Sequence, residues 1–261
     1  MAPRPERVHP AVAALAIAGI AFVLLPVVAL VVRAPWTHAA SALVSNGGLT
    51  ALRLSLVVSV SAAALSVVMG LPVAWVLARG RVPGRAAIRA LIVLPIVLPP
   101  VVGGIGLLAA LGRAGLVGRW LNEVGVRLPF TTPGAIVATT FVSMPLLVLA
   151  AESGFRSLDR RLEGAATTFG GSRAYVFRRV TLPLIAPQLA AGATLAWARA
   201  LGEFGATVTF AGNLAGRTQT LPLAVYQARE ADPGAAIVLS LMLVALSLAV
   251  LILLRDRLLA R

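Results

Sequence analysis

Apolar residues in this chain gather into long blocks, and the polar positions between them are short interruptions. A helix needs about 20 apolar residues to cross the hydrocarbon core of a bilayer. Six blocks meet that length, predicting transmembrane helices over about 11–32, 51–78, 88–112, 130–151, 181–210 and 233–254. The fifth holds its length only by running past two charges, Arg199 and Glu203. The first follows Arg4 and Arg7 and precedes "THAAS" as a cleaved signal would, but its 22 uncharged residues exceed the usual core of about 7–15. A retained span is expected. Between the first two blocks, "SNGG" marks a short polar turn.

The connection over about 152–180 breaks the pattern, with nine charged residues between Glu152 and Arg179. Leu158, Leu162, Ala165 or Ala166, and Phe169 recur at helical spacing. Gly170-Gly171 supplies a left-handed stop, and Ser172 can cap a second helix carrying Val176 and Val180 on one face. Pro183 is expected to interrupt that second helix. The prediction is a charged helix–glycine–helix hairpin set between two spans.

Composition sharpens this picture. Hydrophobic residues make up 59% of the 261, charged residues 12%, and the mean hydropathy is +0.94. A soluble domain carries about 25% charged residues, so the expected class is an all-α integral membrane protein forming a single domain over 1–261. All 23 basic residues are arginine. Without lysine there is no P-loop and no Schiff-base chemistry. Without cysteine there are no thiolate sites or disulfides. The two histidines, His9 and His38, lie too far apart to suggest a metal centre.

The formal charge of +14 raises the question of a nucleic-acid partner, but the arginines form no continuous basic face with interleaved aromatics, and none is expected. Their distribution speaks of orientation instead. If the N-terminus is cytoplasmic, fifteen of the 23 fall inside, at Arg4 and Arg7, between Arg79 and Arg89, between Arg156 and Arg179, and at Arg255, Arg257 and Arg261. Positive charge prefers the inner side. The expectation is a multi-pass protein of the cytoplasmic membrane with both termini and the hairpin in the cytoplasm.

Two readings of the hairpin follow from its residues. The small side chains at Gly164, Ala165 and Ala166, rimmed by arginines, fit the cleft of a partner; alternatively the hairpin lies on the anionic inner leaflet. Gly164-Ala165-Ala166, three residues, Gly170, nine residues, Val180, one residue, Leu182-Pro183 resembles the signature loop of ABC importer permeases. The resemblance implies that this loop is a coupling helix inserted into an ATP-binding subunit, with Ala165, Ala166 and Gly170 at the contact. Gly164 stands where the family pattern has glutamate, and Glu163 lies one residue earlier. ATP and Mg would then be bound by the partner, with no cofactor in this chain and no catalysis by it.

"LIVLPIVLPPVVGG" at 91–104 and "ARALGEFGATVTFAGN" at 198–213 are similar to the molybdate permease branch of that family. The resemblance covers nearly everything after the first helix. It implies the type I importer fold, a homodimer, two ATP-binding cassette subunits and an extracytoplasmic molybdate-binding protein. Molybdate, with tungstate, is the expected substrate. A sulfate or thiosulfate permease is the alternative, and a passive anion channel or an intramembrane enzyme a distant one, since no nucleophile–base set or paired carboxylates appear.

Candidate pathway or gate residues remain open between two roles. Pro99 and Pro100 either restart a helix whose free N–H groups face an anion, or only kink the third span. Arg199 and Glu203, one turn apart, either attract and release an oxyanion or hold a seam shut. Thr139, Ser143 and Thr207 either line a polar path or bond between helices. Trp75, Trp120 and Trp197 are expected at interfaces or in packing.

Overall fold

The structure, a computed structural model, describes residues 9–45 and 47–259. Asn46 of the expected turn, Arg4, Arg7, Arg261 and the side chains of His38, Arg255 and Arg257 lie outside the described residues. No strand occurs among the described residues. In chain order the helices are α1 (Pro10–Arg33), a short 3-10 turn (Trp36–His38), α2 (Ala39–Ser45), α3 (Gly48–Arg79), α4 (Arg85–Val97), α5 (Pro100–Leu111) and α6 (Gly118–Glu123). They continue as α7 (Thr132–Ser157), α8 (Arg160–Thr168), α9 (Arg173–Val176), a π turn (Phe177–Thr181), α10 (Leu182–Leu201), α11 (Gly205–Ala211), α12 (Leu221–Ala231) and α13 (Pro233–Leu259). Among the described residues five helices are long and apolar enough to cross a membrane, or six if α4 and α5 form one broken span.

The centre of the molecule is the trio α3, α7 and α10, each packed against the other two. Lipid tails offer no hydrophobic drive for helices to associate, so close van der Waals contact must hold the trio together. The sequence provides for that with small residues. The buried face of α3 runs Ala51, Ser55, Ser59, Ala62, Ser66, Gly70 and Ala74. A Cβ on Gly70 would stand 2.9 Å from Leu147 Cδ2, and one on Gly192 of α10 would stand 2.7 Å from Ala150 Cβ. The two glycines thus admit α7 between α3 and α10. Helices α12 and α13 form a second pair, and α1 packs on α13 with no residue buried.

Two of the proline-bearing spans depart from regular helices, in different ways. The third apolar block is broken at Leu98–Pro99, and α4 and α5 meet at 119°. Pro95 lies within α4 and does not break it. In the fifth block the expected interruption at Pro183 is corrected: Arg173–Leu201 continues as one apolar helix through the proline. The π turn just before it explains why. Leu182 N–H reaches back to Phe177 O, and the widened turn makes room where the proline ring would meet a carbonyl. The real break in this block comes later, at Gly202–Phe204, before α11.

Candidate coupling hairpin and buried polar pairs

The hairpin assembles from local signals. The Asp159 carboxylate accepts from Arg161 N–H at 2.9 Å and caps α8. At the other end, Gly170 takes φ 86°; its N–H donates to Thr167 O at 2.9 Å, and Gly171 N–H donates to Ala166 O at 3.1 Å. This is a Schellman stop, which needs a residue free of a Cβ at Gly170. The Ser172 hydroxyl then accepts from Tyr175 N–H at 3.3 Å and starts α9.

The apolar face expected of the first hairpin helix points mostly outward. Leu158 sits before the helix and packs in the cluster of Ala74, Leu77, Phe155 and Ile185. Leu162, Gly164, Ala165 and Phe169 are exposed, Phe169 to 92%. A Cβ at Gly164 would meet nothing within 4 Å. Ala166 is half-buried and Val180 likewise, while Leu182 and Pro183 open α10.

Glu163 faces the other way, into the protein. One carboxylate oxygen accepts from Arg79 Nη1 at 2.8 Å and the other from the Thr181 hydroxyl at 2.6 Å. Arg79 also donates through Nε to Phe155 O at 3.1 Å. A single carboxylate therefore ties α8 to the end of α3 and to the π turn, and Arg79 carries the link on to the end of α7. Nearby, the buried Glu152 of α7 pairs with Arg89 of α4 at 3.1 Å and with Arg156 one turn along its own helix. Sequence reading gave Arg79 and Arg89 no role beyond the charge of the inner loops, and it did not single out Thr181. The Glu152–Arg156 spacing is a visible signal, whereas Arg79 and Glu163 stand 84 residues apart and share no local pattern.

Deeper in the bundle, Glu203 has two partners. Its Oε2 pairs with Arg199 Nη1 at 2.7 Å, and its Oε1 accepts from Ala206 N–H at 2.8 Å. The second bond satisfies the start of α11 after the break. Gly205 then lies against Pro100, since a Cβ there would stand 2.7 Å from Pro100 Cβ; at Gly104 a Cβ would stand 2.5 Å from Thr209 Cβ. Pro99 is the N-cap of α5, and Pro100, its first residue, packs that helix against α11. The Thr139 and Thr207 hydroxyls face each other at 3.4 Å across α7 and α11, and those of Ser143 and Ser66 at 3.5 Å across α7 and α3. All four are buried. Trp197 donates to the Ser59 hydroxyl at 3.0 Å, while Trp75 and Trp120 are exposed, the latter under the Arg119 guanidinium. Among the described residues no group of histidines and carboxylates could hold a metal.

Comparison with known proteins agrees with this architecture. The chain is 46% identical over 237 residues to the molybdenum transport system permease protein ModB of Mycobacterium tuberculosis, covering 91% of this chain and 90% of that one. It is 38% identical over 200 residues to the sulfate transport system permease protein CysW of Synechocystis sp., covering 75% of this chain and 72% of that one. The crystal structure of a bacterial ABC transporter involved in the import of the acidic polysaccharide alginate contains a chain of the same fold, with a TM-score of 0.72 at 18% identity over 94% of this chain and 93% of that one. Residues 66–259 match the family model for the binding-protein-dependent transport system inner membrane component. With three quarters of its length inside that match and close relatives beyond it, the chain belongs to the family of binding-protein-dependent transport inner membrane components.

Proposed function

We propose that this chain is the transmembrane subunit of an ATP-driven importer of molybdate, passing tungstate as well. The carrying observation is the 46% identity to a molybdenum permease over nine tenths of both chains, against 38% over a shorter stretch for the sulfate relative. The chain is not itself an ATPase; hydrolysis of Mg-ATP belongs to a separate subunit. It acts as one permease domain over 1–261, in two copies, with two ATP-binding cassette subunits and an extracytoplasmic oxyanion-binding protein, both termini lying in the cytoplasm.

The physical need for fuel supports the reading. A dianion entering a negative-inside cell works against about 4.6 kcal/mol at about 100 mV, before any concentration gradient. A passive pore would leak such ions outward. The exposed face of α8, with Ala165, Ala166, Gly170 and Phe169, suits a cleft in the ATPase subunit; Glu163, Val180, Leu182 and Pro183 serve this contact from behind by fixing the hairpin. Arg199, Glu203, Pro99, Pro100, Thr139, Ser143 and Thr207 occupy helix junctions, which favours a gate over an open lining.

Proteoliposomes holding the chain with its ATPase, given binding protein and labelled oxyanion, test the proposal. Saturable molybdate uptake that needs ATP is the expected outcome. Saturable sulfate uptake without molybdate uptake would move the assignment to the sulfate branch, and flux without the ATPase would make the chain a channel.

A further inference from the structure

Three openings at the charged end of the bundle invite a ligand. The groove at Arg85, Arg89 and Arg156 has two of its arginines engaged by Glu152. The hollow beside Phe169 and Tyr175 is part of the exposed hairpin surface already described. The third is different in kind: a groove of about 990 Å³ between α3, α8, α9 and the π turn.

One end of this groove is apolar and the other basic. Along α3 it is lined by Val68, Leu71, Pro72, Trp75 and Val76, a stripe that ends at Arg79. From Val68 to Arg79 the helix rises about 16 Å, close to the depth of one leaflet, about 15 Å. At the charged end stand Arg79, Arg160, Glu163 and Arg173. Glu163 neutralises Arg79, but neither Arg160 nor Arg173 makes an ion pair among the described residues. Two uncompensated guanidiniums therefore flank the mouth. Arg79 Nη2, in the wall between them and the apolar stripe, is buried without a hydrogen-bond partner. Trp75, 45% exposed at the junction, has the amphipathic ring favoured at a headgroup boundary.

A groove with an acyl-length apolar floor and a doubly basic mouth is complementary to one kind of molecule. We propose that it binds a single anionic phospholipid, with the phosphate between Arg160 and Arg173 and an acyl chain along Val68–Val76. Basic pockets between helices at the cytoplasmic side take such headgroups. Arg160 opens α8 and Arg173 opens α9, so the phosphate joins both arms of the hairpin to α3. The proposal stands apart from the choice of transported ion.

Native mass spectrometry of the purified full chain in detergent, with added phosphatidylglycerol or phosphatidylcholine, tests it. Phosphatidylglycerol should be retained and phosphatidylcholine lost. Arg160→Ala with Arg173→Ala should weaken phosphatidylglycerol binding by about thirtyfold, on the scale of two surface arginines against an anionic headgroup. Val68→Trp fills the groove and leaves both arginines in place, and it should also abolish retention. Circular dichroism and gel filtration establish that each variant is folded, and the Val68 variant keeps the test alive if the arginine pair does not survive. Equal retention of the two lipids, or unchanged binding by both variants, would overturn the proposal. So would displacement of the lipid by millimolar inorganic phosphate, which would make the site one for free oxyanions. A photoreactive residue at Val68 in native membranes should attach to lipid; attachment to a polypeptide would assign the groove to a protein partner instead.

Discussion

Glu203 shows how much a single side chain can settle in this protein. By spacing alone it could be a partner for Arg199 or a group that tunes an anion site, and its neighbourhood gives it an ion pair with Arg199 and a hydrogen bond from Ala206 N–H. A glutamine keeps an acceptor for Ala206 but leaves the Arg199 cation without its counter-charge. Glu203→Gln should therefore cost about 1–3 kcal/mol of stability, the cost of leaving a partly buried polar group without its partner. Adding Arg199→Leu should recover most of that in thermal unfolding, because the stranded cation is gone. If the double variant also transports, the pair is structural. A double variant that is as stable as the parent yet transports nothing would place the pair on the path of the ion.

The hairpin is the element whose behaviour can be separated into folding and docking. Its stop depends on the left-handed Gly170, so Gly170→Ala should cost about 1–2 kcal/mol locally, the penalty of that conformation for an L-residue. Limited proteolysis at 169–172 should report the loosening. Ala165 is exposed. Ala165→Trp should leave the unfolding transition in place and remove most ATP-driven uptake, while binding of the ATPase falls in a pull-down. Normal binding and full transport by that variant would refute the coupling role of α8. The same element shows where sequence reading stops. Its caps, its glycine stop and its charge are local and were legible, whereas the direction of its faces was not. The Leu162–Ala165–Phe169 spacing marks one face of a helix without saying where it points, and the inward side is taken by Glu163, which finds Arg79 and Thr181 on distant elements.

At the scale of the molecule, orientation in the membrane is the property on which transport direction depends. The chain has no cysteine, so single cysteines report cleanly. Ala165→Cys should react with a membrane-impermeant maleimide in inside-out vesicles and resist it in intact cells. Leu116, 77% exposed between α5 and α6, should give the opposite result as Leu116→Cys. A reversed pattern would put the hairpin outside the cell and remove the basis for an intracellular motor. The packing of α3, α7 and α10 is close at Gly70 and Gly192, where an added Cβ would stand 2.9 Å from Leu147 Cδ2 and 2.7 Å from Ala150 Cβ. The hairpin meets the end of α3 through Glu163 and Arg79, and the end of α7 through Arg79 and Phe155 O.

By itself the sequence determined the class of protein, the number and approximate places of the apolar blocks, and the charged hairpin between the fourth and fifth. These follow from composition and from periodicities within some twenty neighbouring residues, which the bilayer thickness and helix geometry translate directly into structure. Tertiary structure decided what depends on meetings across the chain: that Pro183 is absorbed by a π turn, that the third block folds back at Leu98–Pro99, and that α5 leans on α11 through Gly104 and Gly205. It also brought the hydroxyls of Thr139 and Thr207, and those of Ser143 and Ser66, face to face between helices. The physical reason is range: capping and hydropathy act along the backbone, whereas close approach and ion pairing depend on residues that only the assembled bundle brings together.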